Sequence, residues 1–305
     1  MLKRERCPGC HGQASTTLYR EPLDSPAITR YLLAHYQQRV ARDFSGYDYE
    51  LARCRHCGLA YQAQVPAPAL LEEIYDQWLP ATERALVAAR WGLDDYRYLA
   101  AQVEFMLEHF RLRPGAVKAL DFGFGWAEWA KMAGAYGCDV CGAELSEVRI
   151  DYARSVGIPV LDASALPQGE YHFINTEQVF EHLLEPGDML RRLGRSLRPG
   201  GVVKVSVPDA AHSLRKLLGA RSFAALGEAD IMPIAPFEHV NAFTHASLAA
   251  LGRGAGLALL RPSLRKLYNS SSGWMNPKSA LKTLARPVYR HIYPRSTFIY
   301  FARPA

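Results

Sequence analysis

After Glu238 the chain contains no acidic residue, while ten Lys or Arg follow: Arg253, Arg261, Arg265, Lys266, Lys278, Lys282, Arg286, Arg290, Arg295 and Arg303. The overall formal charge is only +6, so the part up to Glu238 is net acidic and the basic charge is concentrated at one end. Such an end suits phosphates, nucleic acid or an anionic membrane surface, or simply a solvated basic face. Long apolar runs are also missing. No stretch approaches the roughly 20 residues that a membrane span requires, so no transmembrane segment is expected. The opening residues, Met1-Leu2-Lys3-Arg4-Glu5-Arg6, have no apolar signal core, which points to the cytoplasm and to reduced thiols. Cysteine is sparse, six in 305 residues, so a disulfide scaffold is excluded for a chain long enough to bury a core without one. With 49% apolar and 22% charged residues the composition is that of a globular protein. The length suits one large domain plus a smaller one.

Four of the cysteines form two matched pairs, Cys7-Pro8-Gly9-Cys10 and Cys54-Arg55-His56-Cys57-Gly58. C-x-x-C lets both thiolates of one tight turn reach a single ion, and two such turns complete a tetrahedral site. Gly9 and Gly58 suit the positive φ such turns demand. This spacing reads as a zinc ribbon over 1–65 with Cys7, Cys10, Cys54 and Cys57 as ligands. His11 and His56 stand beside the knuckles as bystanders. Cys138 and Cys141 share the spacing but fall on an apolar strand with no partner pair, and read as packing residues.

Val65-Pro66-Ala67-Pro68 is a stiff linker. A helix is expected over Ala69–Tyr75 and a longer amphipathic one over Asp94–Phe110, so 66–110 forms a helical linker or lid. Beyond it strands are expected at Val117–Phe122, Asp139–Glu144, Val160–Asp162, Tyr171–Thr176, Gly201–Val207, Leu257–Leu260 and Thr297–Ala302. Helices are expected between them at Glu128–Tyr136, Glu147–Ser155 and Pro186–Leu197. This alternation predicts an α/β, Rossmann-like doubly wound sheet over 111–305, mostly parallel with an antiparallel last strand. A basic insertion interrupts it at about 263–296.

Asp121-Phe122-Gly123-Phe124-Gly125 closes the first of these strands, where glycines let the backbone turn sharply beside a nucleoside. A dinucleotide fingerprint needs a third glycine. Glu128 stands there instead and sets a carboxylate where a pyrophosphate would bind, which disfavours NAD. Glu144, at the end of the second strand, is placed to grip two ribose hydroxyls, and Asp162 to accept from an adenine amino group.

With Asp162-Ala163, Glu177-Gln178-Val179-Phe180-Glu181-His182-Leu183 and Leu197-Arg198-Pro199-Gly200-Gly201, these residues resemble the class I S-adenosylmethionine-dependent methyltransferases. The resemblance covers about residues 90–260. It implies that Asp121, Gly123, Phe124 and Gly125 flank the methionine moiety and that Glu144 holds the ribose with Leu145 beside it. It further implies that Asp162 and Ala163 meet the adenine and that Glu177 and Gln178 line the pocket.

The activated sulfonium methyl mainly requires alignment with its acceptor, and a general base helps where the acceptor carries a proton. Among five histidines between 172 and 245, His172 falls on an inner strand and reads as structural. His239, in Phe237-Glu238-His239-Val240-Asn241-Ala242-Phe243-Thr244, is the candidate base, with Glu238 orienting it. Together with the paired cysteines, this segment is similar to the zinc-containing C-methyltransferases of deoxysugar pathways. That family has a tyrosine where Pro236 stands here and an additional C-terminal domain that is largely missing.

The reading is methyl transfer from S-adenosylmethionine to a small polar metabolite, such as a sugar, a sugar nucleotide or a natural-product intermediate, with zinc in the ribbon. Its rivals are an RNA methyltransferase gripping phosphates with ribbon and basic end, and a non-catalytic S-adenosylmethionine-binding protein. The ribbon lacks a dense cationic cluster, which argues against nucleic acid. The basic end, with its interleaved aromatics and leucines, suits an anionic acceptor or peripheral contact with a membrane surface.

Overall fold

The computed structural model describes residues 1–40, 42–78, 90–269, 281, 284–285, 288–289 and 297–304. Most of the expected insertion at 263–296 lies outside the described residues, apart from the helix Leu264–Asn269 and a few positions after it. In chain order the strands are β1 Leu2–Lys3, β2 Ser15–Pro22, β3 Asp48–Cys54, β4 Ala60–Gln62, β5 Gln64–Val65, β6 Lys118–Phe122, β7 Asp139–Ala143, β8 Tyr171–Glu177, β9 Leu197–Ser206, β10 Asn241–Ala242, β11 Ala258–Leu260 and β12 Phe298–Ala302. Two compact units divide the chain. The first joins Met1–Glu83 to Phe180–Asp188 and Val207–Gly254; the second joins Arg84–Val179 to Met189–Ser206 and Ala255–Ala305.

In the first unit an antiparallel sheet runs β10-β4-β3-β2, and β1 pairs separately with β5. The N-terminal strands therefore continue into β10, with Asn241 opposite Tyr61 and Ala242 opposite Ala60. A two-residue strand has little stability of its own, and Asn241 supplies the rest. Fully buried, it donates from its side-chain amide to the carbonyls of Phe180 (3.0 Å) and Leu183 (2.6 Å), and from its N–H to Glu181 O (3.0 Å). The helix Pro26–His35 starts at Ser25, whose hydroxyl accepts from Ile28 N–H, with proline in the first turn where no donor is missed. It turns Ile28 and Leu32 into a core of Tyr36, Tyr49, Trp78, Phe223 and Phe237.

The second unit holds a six-stranded sheet in the order β11-β12-β9-β8-β6-β7. β7, β6, β8 and β9 are parallel, and β12 runs antiparallel to β9, as the sequence predicts. The helix Leu93–Phe110 buries Leu99, Val103 and Met106 against Trp129, Ala130 and Ala133 of the helix Glu128–Ala135. Arg111, left-handed at φ 53°, ends the longer helix. The expected strand at Val160–Asp162 reduces to one bridge, Gly142 to Val160. Beyond it Asp162 accepts from Ser164 N–H at 2.7 Å and turns the chain away from the ladder. After β6 the chain goes to β7 on one side, and β8 lies on the other. The carboxyl ends of β6 and β8 thus flank the topological switch point, where ligands bind in such sheets.

Candidate functional site

Sequence reasoning expects the cofactor site at these strand ends. Gly123 (φ 69°) and Gly125 (φ 55°) both take the left-handed backbone that side chains resist. A Cβ on Gly123 would sit 2.5 Å from Val179 Cγ2, whereas nothing lies within 4 Å of one on Gly125. The first glycine therefore permits packing, and the second leaves space above the turn. Phe124, between them, turns into the core and covers Gly142, whose Cβ would meet its ring at 2.3 Å. Asp121 faces inward too. Its carboxylate accepts from Asn175 Nδ2 (2.8 Å) and Ala130 N–H (3.1 Å), tying β6 to β8 and to the first turn of the following helix. Burial raises its pKa to about 6.

Glu144 leaves β7 at the same level. Its carboxylate accepts from Gly125 N–H (2.9 Å), Leu145 N–H (2.9 Å) and Ser146 N–H (3.3 Å). Next to it Leu145 is 84% exposed, an apolar side chain standing in solvent beside a carboxylate. Asp162 accepts from the Ser164 hydroxyl as well as its N–H, and these bonds hold its carboxyl below the ordinary range. Ala163 O accepts from Arg192 at 2.6 Å.

Glu177, at the end of β8, is committed to a network that the sequence reading missed. It pairs with the Lys204 ammonium and accepts from the Tyr98 hydroxyl and the Ser206 hydroxyl, both at 2.9 Å. Lys204 is fully buried on β9 and also donates to Gln102 Oε1 (2.6 Å) and Asn175 Oδ1 (2.8 Å). Burial lowers the Lys204 pKa, against which Glu177 and Asp121 act. The signal was present: one lysine interrupts Val202-Val203-Lys204-Val205, an otherwise apolar inner strand. Gln178 takes φ 54° and donates its N–H to Ser206 O at 2.8 Å, so its main chain closes the strand end. Elsewhere in this unit Cys138 packs in the core and Cys141 contacts the Tyr171 hydroxyl at 3.4 Å, as packing residues do. His172 is structural, since its Nδ1 accepts from Lys118 N–H at 3.0 Å.

In the first unit the Sγ atoms of Cys7, Cys10, Cys54 and Cys57 all lie within 4.8 Å of one another. The Cys7–Cys57 and Cys10–Cys54 pairs are each 3.5 Å apart. Gly58 has the positive φ expected of it, 75°, but in the first knuckle His11 (φ 60°), not Gly9, takes that position. Gly9 serves packing instead, since a Cβ there would meet Leu59 Cδ2 at 3.0 Å and Leu251 Cδ1 at 3.2 Å. Gly187 N–H donates to Pro8 O at 3.2 Å, and a Cβ on Gly187 would fall 2.0 Å from Gly9 O. His11 lies against Asp188 (3.3 Å) and Glu185 (3.6 Å).

The same unit brings together Glu181, His182 and His239, whose ligand atoms also fall within 4.8 Å. The two imidazoles meet edge to face, centroids 4.8 Å apart. Burial lowers the His239 pKa to about 4, with nearby His182 adding to the shift and Glu238 opposing it. Glu238 does not hydrogen-bond His239. Its carboxylate takes His35 Nε2 at 2.6 Å. Burial pushes Glu238 up, but the bond to His35 outweighs it and holds the carboxyl below its ordinary value, while raising His35.

Among the described residues no helix is long and apolar enough to cross a membrane. A family model described as a methyltransferase domain matches residues 91–261. The ubiquinone biosynthesis O-methyltransferase of Bordetella avium is 25% identical over 191 residues, 56% of this chain and 76% of that protein. The protein of the same name from Thiobacillus denitrificans is 28% identical over 153 residues, 46% of this chain and 64% of the other. Among solved structures, the plantazolicin methyltransferase BpumL, bound to a triazolic desmethylPZN analog and SAH, aligns with a TM-score of 0.47 at 14% identity, covering 78% of this chain and 95% of that one. An S-adenosylmethionine-dependent methyltransferase from Mesorhizobium loti aligns at 0.40 and 18%, covering 69% and 99%.

Proposed function

The chain belongs to the methyltransferase-domain family and is an S-adenosylmethionine-dependent methyltransferase, and we propose that it methylates a small polar metabolite, at oxygen, with a zinc-held N-terminal module. The observation that carries the cofactor assignment is the Gly125 turn facing Glu144. Space is open above the glycine, a carboxylate sits opposite it, and exposed Leu145 adjoins that carboxylate. A ribose diol needs a strong paired acceptor, which Glu144 provides, and a purine needs an apolar face, which Leu145 provides. Asp162 and Ala163 are assigned to the adenine edge, and Gly123, Phe124 and Gly125 to the methionine end, with Gln178 closing the strand beside them. Asp121 and Glu177 are assigned to holding this frame rather than to ligand contact, because Asp121 is buried between Asn175 and Ala130 N–H and Glu177 pairs with the buried Lys204 ammonium. When bound, S-adenosylmethionine supplies the activated methyl; the chain's residues bind and orient it.

The four thiolates fit zinc. Tetrahedral coordination with bonds of about 2.3 Å sets sulfurs about 3.8 Å apart, and two of the sulfur pairs here stand at 3.5 Å. The ubiquinone-pathway relatives are named for O-methylation, which favours oxygen as the accepting atom here. The acceptor's proton is assigned to the cluster around His239. Low basicity keeps that imidazole neutral near pH 7 with a lone pair available, while Glu238 is occupied by His35.

Incubation with methyl-labelled S-adenosylmethionine and a metabolite extract, read by mass spectrometry, is expected to yield a labelled small molecule. Gly123→Val and Glu144→Ala are each expected to weaken cofactor binding at least tenfold, about 1.4 kcal/mol. Calorimetry showing both affinities unchanged would place the cofactor elsewhere.

A further inference from the structure

We propose that Glu181, His182 and His239 form a mononuclear site for a divalent first-row transition cation, separate from the four-cysteine cluster. Three potential ligand atoms converge there from two chain segments, all within 4.8 Å of one another. His182 Nε2 stands 3.9 Å from Glu181 Oε1. Two imidazole nitrogens and a carboxylate oxygen bound at about 2.0–2.2 Å would lie roughly 3.4 Å apart. The observed gap closes by about half an ångström, within reach of small side-chain rotations.

The ring orientation suits a cation. His182 Nδ1 lies 3.0 Å from Glu238 O, and a carbonyl can only accept, so Nδ1 carries a proton and the ring presents Nε2 toward Glu181. This is the arrangement that orients metal-binding histidines, the second ring nitrogen bonded to a main-chain carbonyl. His239 Nδ1 is buried without a hydrogen-bond partner among the described residues. Its main chain is held from both sides, the N–H by Ala235 O at 3.1 Å and the carbonyl by Gln62 Nε2 at 3.1 Å. Glu181 is held by Asn241, whose N–H donates to its carbonyl at 3.0 Å. The positions are thus fixed before any ion binds. A cation there would meet a buried carboxylate and two imidazoles with donor atoms already gathered.

The donor set decides the ion class. Two imidazoles and one carboxylate suit Zn(II), Fe(II), Co(II), Ni(II) or Mn(II) better than Mg(II) or Ca(II), which prefer all-oxygen sets, and no thiolate is present to select Cu(I). Three protein ligands leave a position open for an oxygen ligand such as a hydroxyl, and an ion bound there would take the His239 lone pair in place of the acceptor's proton. That consequence rests on the methyltransferase reading; the ion site itself does not.

The test uses the full chain, freed of metal by mild chelation and titrated with Co(II) alone. Wild type is expected to take two ions. One shows intense thiolate charge transfer; the other shows only weak visible bands of nitrogen and oxygen ligation. His182→Gln, His239→Gln and Glu181→Gln are each expected to weaken the second ion by about a hundredfold or more, while the thiolate signature stays intact and reports a folded first unit. A single ion per wild-type chain, or a second ion retained by all three variants, overturns the site. S-adenosylmethionine affinity measured on the same samples keeps the two readings apart: loss of cofactor binding with both ions present counts against the methyltransferase reading alone.

Discussion

Individual residues here are set by what their side chains already touch. Asp121 stands in the D-x-G-x-G motif, yet its carboxylate is spent on Asn175 and Ala130 N–H. Because burial raises its pKa to about 6, the native state holds this proton more tightly than the unfolded chain does. The native state therefore carries the extra proton between about pH 4 and 6, and stability falls as pH rises through that window. Asp121→Asn is expected to remove this component. In urea unfolding, wild type should lose stability relative to the variant from pH 4 to 6 and run parallel to it above. Parallel curves across the whole range would show that the carboxyl titrates normally. The glycines divide in the same way: Gly123 answers to Val179 and Gly187 to the Gly9 carbonyl, whereas Gly125 opens onto free space.

At the scale of elements, β6, β8 and β9 are joined by side chains as well as by their ladder. Lys204 on β9 reaches Asn175 and Glu177 on β8 and Gln102 on the helix Leu93–Phe110. Removing a buried cation leaves its carboxylate and amide partners unpaired. Lys204→Met is expected to cost about 3–5 kcal/mol. Adding Glu177→Met should recover part of that loss, because two unpaired groups then disappear together. A double-mutant cycle from denaturant curves measures the coupling, and strictly additive losses would show that the pair contributes nothing of its own. The elements were mostly legible beforehand. The helix Glu147–Ser155 has its expected ends, and β6, β7 and β8 fall within a residue of theirs. The strand at Val160 was overestimated, since local composition does not reveal that Ser164 draws Asp162 into a turn.

At the scale of the molecule, one expected outcome concerns the metal. Freshly purified protein should carry zinc on Cys7, Cys10, Cys54 and Cys57. Stripping it should destabilise the first unit by several kcal/mol, because binding and folding of such turns are coupled. Near-ultraviolet circular dichroism reports this through the buried rings of Tyr36, Tyr49, Trp78 and Phe237. An unchanged spectrum and melting temperature after complete removal would make the cluster incidental. The sequence by itself determined the alternation of strands and helices, the antiparallel last strand, the glycine turn opposite Glu144 and the matched cysteine pairs. These are local signals: side-chain period, backbone φ and ligand spacing act within a few residues. Only the tertiary structure decided that β4 pairs with β10, that Gly187 lies on Gly9, that Glu238 goes to His35 rather than His239, and that Glu181 and His182 meet His239. Each of these joins segments far apart in the chain, where many partners are chemically equivalent and packing alone selects among them.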